Sequence, residues 1–330
     1  MAQASTIGSR MAGAWQGIGA FIGRYLMIIV PAGVALGIAF PQLLLPVKPY
    51  ITLLFAIMTF QNSLGNDLGS MKQALRQPLA LAAMLVQVHV AMPLLTFAAA
   101  SLLFGAKSPT VAGVVLEYAV PMGASTVMWI AMFRGNLAIG LSALLASTML
   151  APFSIPLTLK LLVGTTVEVD VWGMMSDMLL MIALPALAAT LLGEVTHGWA
   201  RERLSPATMP ISRILLPVIV STNATGISAY LRNLTPRLVL IMLFMLCCAV
   251  LSFVLGMVVA RWLSRNDEQF VAMSFCCGMR NVSSGAVLAS QYFGPEVMFP
   301  AVISTLFQQF LAAFFGRAME RVLAEHHPKP

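Results

Sequence analysis

Charge is what this 330-residue chain lacks. Asp, Glu, Lys and Arg make up 9% of it, while 59% is hydrophobic and the mean hydropathy is +0.88. Soluble domains carry about 25% charged residues, so the composition excludes a water-soluble globule and implies an integral membrane protein. Acids are scarcer than bases, 12 against 19, for a net charge of +7. The positive residues are scattered over loops and not gathered on one face, so no nucleic-acid partner is expected. Cysteine is sparse: four residues in two adjacent pairs, Cys247–Cys248 and Cys276–Cys277. Neighbouring cysteines do not form ordinary disulfides, and no CxxC or His-bearing metal spacing occurs, so neither a metal centre nor a cofactor is expected. GxSxG, HExxH and P-loop motifs are missing, which excludes an ATP-driven pump within this chain and gives no reason to expect an enzyme. The N-terminus lacks a short signal peptide ending in a small-residue cleavage site. The first apolar run, after Arg24, is expected to stay in the mature chain.

What is present is apolar sequence in segments of spanning length. Ten are predicted, at 25–43, 50–65, 79–104, 110–133, 137–160, 174–193, 208–230, 238–262, 270–291 and 297–316. The fold class is an all-α integral membrane protein of ten transmembrane helices. Ten crossings put both termini on one side of the bilayer. Thirteen of the 19 Lys and Arg fall on that side and five on the other, so the positive-inside rule makes both ends cytoplasmic. A plasma membrane location, as in a bacterial inner membrane, follows, with the lipid bilayer as the surrounding partner and a monomer as the expected state.

The chain is organised around Phe270–Ser290, FVAMSFCCGMRNVSSGAVLAS. Gly278, Arg280 and Asn281 put a helix-weakening residue, a full charge and an amide at mid-bilayer depth. A charge there costs at least ~2.5–3.5 kcal/mol on insertion scales. The predicted answer is a helix broken at Gly278, with Arg280 and Asn281 opening its second half. The alternative is a continuous helix whose Arg pairs with a buried acid. A second break is predicted around Pro121–Gly123, and Gly123 and Gly278 lie 155 residues apart, close to half the chain. LRQP (75–78) entering span 3 is echoed by LRNLTP (231–236) entering span 8. Paired broken segments in matching places point to an inverted-repeat transporter with its site at the midplane. The chain therefore divides into a tail 1–24, repeats 25–160 and 161–316, and a tail 317–330.

Four stretches carry a specific resemblance: FQNSLGNDLGSMKQALRQP (60–78), LVQVHVAMPLL (85–95), VPMGASTVMWIAMFRGN (120–136) and CCGMRN (276–281). Over nearly its whole length the chain resembles the bile acid:sodium symporter family. That resemblance implies a panel and a six-helix core. It also implies broken helices 4 and 9 crossing in the core, a substrate anion beside the crossing and two sodium ions behind it. Carried over by position, the family's sodium ligands fall on Thr126, Val127, Gly140, Leu144, Cys276, Arg280 and Gln87. Val127 stands where the family has an amide, Gly140 and Leu144 where it has hydroxyls, Cys276 where it has a glutamate and Arg280 where it has a glutamine. Sodium needs several hard oxygen ligands, so no metal is expected at these positions.

The substrate-binding candidates are Arg280, Asn281, Ser125, Thr126, Gln87, Gly123 and Ala124. Arg280 would act as a fixed cation, offering a planar fork to a carboxylate. The positive ends of two half-helices, at about Ser125 and Asn281, would add to it. Glu117, about 9 Å along a helix from Gly123, is expected to face Arg280, either as a structural ion pair or as a proton carrier. His89 reads as an interhelical hydrogen bond, and Cys276 and Cys277 as packing. The leading function is a secondary transporter of a small organic anion, a monocarboxylate or sulfonate, working by alternating access without sodium at these positions. A sodium-coupled symporter, an arsenite-type efflux permease and a non-transporting receptor are the alternatives.

Overall fold

The computed structural model of the chain describes residues 2–66, 68–69, 77–231 and 235–326, with side chains from residue 13 to 324 within those ranges. In chain order, α1 covers Ala2–Ala39, α2 Pro41–Ser63, α3 Pro78–Phe104, α4 Pro109–Ala119, α5 Thr126–Met132 and α6 Leu137–Val163. Then α7 covers Val171–Val195, α8 Ala200–Leu231, α9 Pro236–Leu263, α10 Asp267–Gly278, α11 Val282–Tyr292 and α12 Pro295–His326. Among the described residues eight helices are long and apolar enough to cross a membrane. Lipid offers no partner for a free N–H or C=O, so an apolar chain of this kind has to close its hydrogen bonds within helices.

The helix starts are written locally. Proline opens α2, α3, α4 and α9, where its missing N–H is one of the unpaired donors of a first turn. Side chains cap other starts: Asn136 accepts from Ile139 N, Asp170 from Gly173 N, Asn266 from Gln269 N and Asn281 from Ser284 N.

The predicted spans fall on these helices, but several helices begin earlier: α2 starts at Pro41 against a predicted 50, and α8 at Ala200 against a predicted 208. The first span was placed from residue 25, yet α1 runs from Ala2 and bends at Tyr25, which has φ −107 and ψ 16. Likewise α12 continues past residue 316 to His326. The spanning segment of α1 already qualifies from Gly13, so apolar sequence on the near side of Arg24 carries that helix back. The extension of α12, RAMERVLAEH, is built of good helix formers that need no apolar run to continue a helix already started. The LRQP and LRNLTP echo, and Lys72, Arg76, Arg232 and Lys329, lie wholly or partly outside the described residues, as does the side chain of Arg10.

Helices pack in two groups. One holds α1, α2, α7 and α8, with α8 lying along both α1 and α2. The other holds α3, α6, α9, α12 and the short helices α4, α5, α10 and α11. The groups meet where α7 lies on α6, α8 on α11 and α1 on α12. The short helices lie inside the second group: Thr110–Ala119 and Gln269–Gly278 are buried throughout.

Candidate functional site

Both predicted breaks exist, and they meet. Helix α4 stops at Ala119, where Val120 turns extended (φ −64, ψ 154), and α5 begins at Thr126. Helix α10 stops at Gly278, where Met279 is extended (φ −103, ψ 131), and α11 begins at Val282. The two extended stretches run antiparallel and pair at Met122 and Arg280. Gly123 N donates to Met279 O at 3.3 Å and Asn281 N to Pro121 O at 2.8 Å. Two more backbone donors are met by side chains: Met122 N donates to Ser147 Oγ at 3.1 Å, and Arg280 N to Gln308 Oε1 at 3.0 Å. An unwound buried backbone is tolerated only when its polar groups are paired in this way. Gly123 has no room for a side chain, because a Cβ there would lie 2.6 Å from Arg280 O.

Two half-helix N-termini open at the crossing. Asn281 caps α11 through Ser284 N, and Ser125 precedes α5. Ser125 Oγ accepts from Gln309 Nε2 at 3.5 Å, and Gln309 Oε1 accepts from Trp129 Nε1 at 2.9 Å. Ala124, Ser125 and Asn281 are half-buried, and Thr126 is buried with no partner for its Oγ1.

Arg280 is 2% exposed. Its guanidinium turns back over the C-terminal end of α10, where Nη1 donates to Cys277 O at 3.1 Å and Nη2 to Ser252 Oγ at 3.3 Å. A cation beside the free carbonyls of a helix C-terminus is electrostatically favoured. Ser252 Oγ itself donates to Cys277 O, and Ser252 O accepts from Gln87 Nε2 at 3.1 Å. The guanidinium lies 6.0 Å from the Tyr118 ring centroid. Two hydrogen bonds use two of its five donors, and Nε has no partner. Gln87 Oε1 is likewise unpartnered. Gln87 opens a π-helical turn, Gln87–Ala91, in α3; such turns re-aim side chains and recur at functional sites.

The expected meeting of Glu117 and Arg280 does not occur. Among the described residues no carboxylate lies within ion-pair distance of Arg280, and Glu117 Oε2 is buried without a partner. The 9 Å reach assumed helix as far as Gly123, but α4 ends at Ala119. The carboxyl lies instead against α11, with Oε2 2.5 Å from where a Cβ on Gly285 would be. His89 is the interhelical link expected: its Nε2 is 2.8 Å from Ser147 Oγ and its Nδ1 2.9 Å from Ser154 Oγ. Through Ser147 it braces the backbone of Met122.

The positions matched to the family's sodium ligands do converge, on hydrocarbon. Cys276 Sγ is 4.0 Å from Gly140 O. Where Gly140 would carry a Cβ, Ile130 Cδ1 already stands at 2.4 Å. Leu144, Ile130 and Cys276 belong to one buried apolar cluster, with Val127 packed against it. Arg280 and Gln87 border this cluster, joined through Ser252, with Arg280 Nη1 on the carbonyl of its member Cys277.

Sequence reasoning missed Ser252, Gln308, Gln309, Ser147 and Tyr118. Ser252 had a signal, a lone hydroxyl residue in the apolar run LCCAVLSFVLG of α9. The two glutamines also stood in a polar interruption of α12, with Ser304 and Thr305 one turn before them.

A profile of the sodium bile acid symporter family matches residues 51–233. "Uncharacterized protein YbaS" of Bacillus subtilis (strain 168) is 33% identical over 89% of this chain and 96% of its own length. "Uncharacterized sodium-dependent transporter YocS" of the same organism is 24% identical over 91% of this chain and 94% of its own. "Probable sodium/metabolite cotransporter BASS1, chloroplastic" of Oryza sativa subsp. japonica is 28% identical over 79% of this chain and 63% of its own.

Proposed function

We infer the activity from one premise: this chain belongs to the sodium bile acid symporter family. The protein is a membrane transporter, and the solute we propose is a small organic anion, a monocarboxylate or sulfonate, carried by alternating access. One observation carries this reading. Two half-helix N-termini, a buried guanidinium with spare donors and the unpartnered Thr126 hydroxyl gather around one unwound crossing. Buried polar atoms are normally paired, and an unpaired one costs about 1–3 kcal/mol. An anion at the crossing would supply acceptors to the free donors, and the positive helix ends would favour its charge.

The antiparallel pairing of the two breaks supports the inverted-repeat reading, since a two-fold axis in the membrane plane sets matching segments antiparallel. On that reading each broken pair makes one crossing, completing ten. Repeats 25–160 and 161–316 then each hold five crossings, with both termini cytoplasmic.

Arg280 takes the place of sodium as a fixed cation. The hydrocarbon filling around Ile130, Leu144 and Cys276 supports that reading, because hard-cation ligands are oxygens. The names of the relatives favour a second reading, in which the anion moves with sodium. Uptake by proteoliposomes of radiolabelled pyruvate, cholate and taurocholate tests the activity itself. Saturable uptake of at least one, competed by the unlabelled compound, is expected. No uptake with intact binding would make the protein a receptor.

Glu117 remains the candidate for proton coupling, because it is a buried carboxyl oxygen with no partner beside the N-terminal turn of α11. Glu117→Gln is expected to keep substrate exchange and to lose accumulation driven by an inward proton gradient. Full gradient-driven accumulation in that variant ends the proton role.

A further inference from the structure

Both breaks are held from one turn of α3. Gln87 and His89 stand two residues apart in its π-helical turn, so their side chains leave α3 on nearly opposite sides. Helix α3 packs against both α6 and α9. On one side Gln87 Nε2 donates to Ser252 O of α9 at 3.1 Å, and Ser252 Oγ donates to Cys277 O at 2.9 Å, at the end of α10. On the other, His89 Nε2 is 2.8 Å from Ser147 Oγ of α6, which accepts from Met122 N at 3.1 Å. Each break is reached from α3 through one serine.

The two serines depart from the habit of this chain. Ser142, Ser221, Ser274 and Ser304 each donate to the carbonyl four residues back in their own helix, the usual outlet of a buried helical hydroxyl. Ser147 and Ser252 reach out of their helices to the breaks instead. For Ser147 the imidazole supplies the reason, because it fixes the hydroxyl where Met122 N can donate to it. The ring is itself pinned at both edges. His89 is 5% exposed and Ser147 fully buried, and Nδ1 lies 2.9 Å from Ser154 Oγ, two turns along α6. A hydroxyl donates or accepts as required, so the neutral ring is satisfied in either tautomer. Met122 is also the residue that pairs with Arg280 across the crossing, and α5 opens just after Ser125.

We propose that His89 is a positioning residue for the anion site: with Gln87 it makes the π-helical turn of α3 a strut that sets the two breaks, and so the two half-helix N-termini, at the spacing an anion requires. The inference rests on the anion-transporter reading above. The field of a helix end falls off within its first turn, so a displaced α5 N-terminus loses its hold on an anion kept by Arg280 and α11. A π-helical turn suits the part, because it re-aims side chains without interrupting the helix that carries them.

His89→Asn and His89→Gln separate the two edges of the ring. An asparagine amide reaches about as far as Nδ1, toward Ser154, and a glutamine amide about as far as Nε2, toward Ser147. Each variant keeps one hydrogen bond and loses one, so a merely structural histidine makes the two alike. The probe is whichever of pyruvate, cholate and taurocholate wild-type proteoliposomes take up. The proposal expects H89N to raise the half-saturating concentration roughly three- to tenfold, the share of one neutral hydrogen bond, and H89Q to recover most of that. S147A removes the acceptor itself, and H89N/S147A is expected to cost no more than S147A alone, as for two residues on one path. Amide hydrogen exchange of residues 119–125 reads the brace in empty protein: H89N and S147A should speed it at least about threefold and H89Q should not. H89N and H89Q alike, whether both weak or both unaffected, overturn the proposal, as does unchanged exchange in H89N and S147A. If wild type takes up none of the three anions, the transporter reading has failed and the proposal with it. The exchange pattern tells that failure from a brace that is absent.

Discussion

Arg280→Gln is expected to weaken anion binding by about 1.5–3 kcal/mol, roughly ten- to 150-fold in Kd, the range for a hydrogen bond to a charged group. The substitution removes the cation without stripping the surrounding network. Cys277 O keeps its hydrogen bond from Ser252 Oγ, Ser252 O keeps Gln87, and the backbone N of residue 280 keeps Gln308. Arg280 has no carboxylate partner among the described residues, and a buried charge without one is a burden on the fold. The melting temperature of the empty variant should therefore hold or rise while affinity falls. A merely structural arginine gives the opposite pattern, lower melting temperature with affinity unchanged. Isothermal titration alongside thermal melting separates the two. Arg280→Lys, which keeps the charge and loses the fork, should fall between wild type and Gln.

Gly123→Val is expected to abolish uptake and to lower stability by ~1–3 kcal/mol, the usual cost of overpacking. The clash is with main chain. A Cβ at 123 would lie 2.6 Å from Arg280 O and 3.1 Å from Arg280 C, neither of which can rotate away. Relieving it means separating the two extended stretches, which breaks the bonds from Gly123 N to Met279 O and from Asn281 N to Pro121 O. The half-helix N-termini at Ser125 and Asn281 then lose their fixed spacing. Gly17→Ala is the matched control, because no atom lies within 4 Å of a Cβ there. Wild-type uptake by Gly123→Val would show that the crossing does not need this close approach.

Much of this was legible in the sequence because the bilayer makes exceptions conspicuous. Arg280, Asn281 and the glycines at 123 and 278 stood out against apolar runs, and each break falls within a few residues of its expected place. What was not legible was rotation and reach. Glu117 lies within axial range of Gly123 and so of the break, but the sequence does not show that α4 ends at Ala119 and aims the carboxyl at Gly285. The guanidinium's turn toward Cys277 O and Ser252 was equally hidden, since a long flexible side chain can satisfy itself on either side of a break. Helix ends were missed at both termini: the span of α1 reaches back to Gly13, past the single charge at Arg24, and α12 continues beyond its apolar run because its last turns are good helix formers. The filling of the sodium-ligand positions was half visible. The loss of oxygen ligands could be read from Val127, Gly140, Leu144 and Cys276, but that Ile130 occupies the space could not.

The account stands most directly on the claim that Arg280 replaces sodium. The measurement is uptake of a radiolabelled anion by proteoliposomes in sodium against choline at equal ionic strength, with melting temperature recorded in the same two salts. The account predicts the same saturable uptake and the same melting temperature in both. A sodium-specific, saturable rise in both quantities would contradict it and would mean that sodium finds oxygen ligands in this chain other than the positions filled by Val127, Gly140, Leu144 and Cys276.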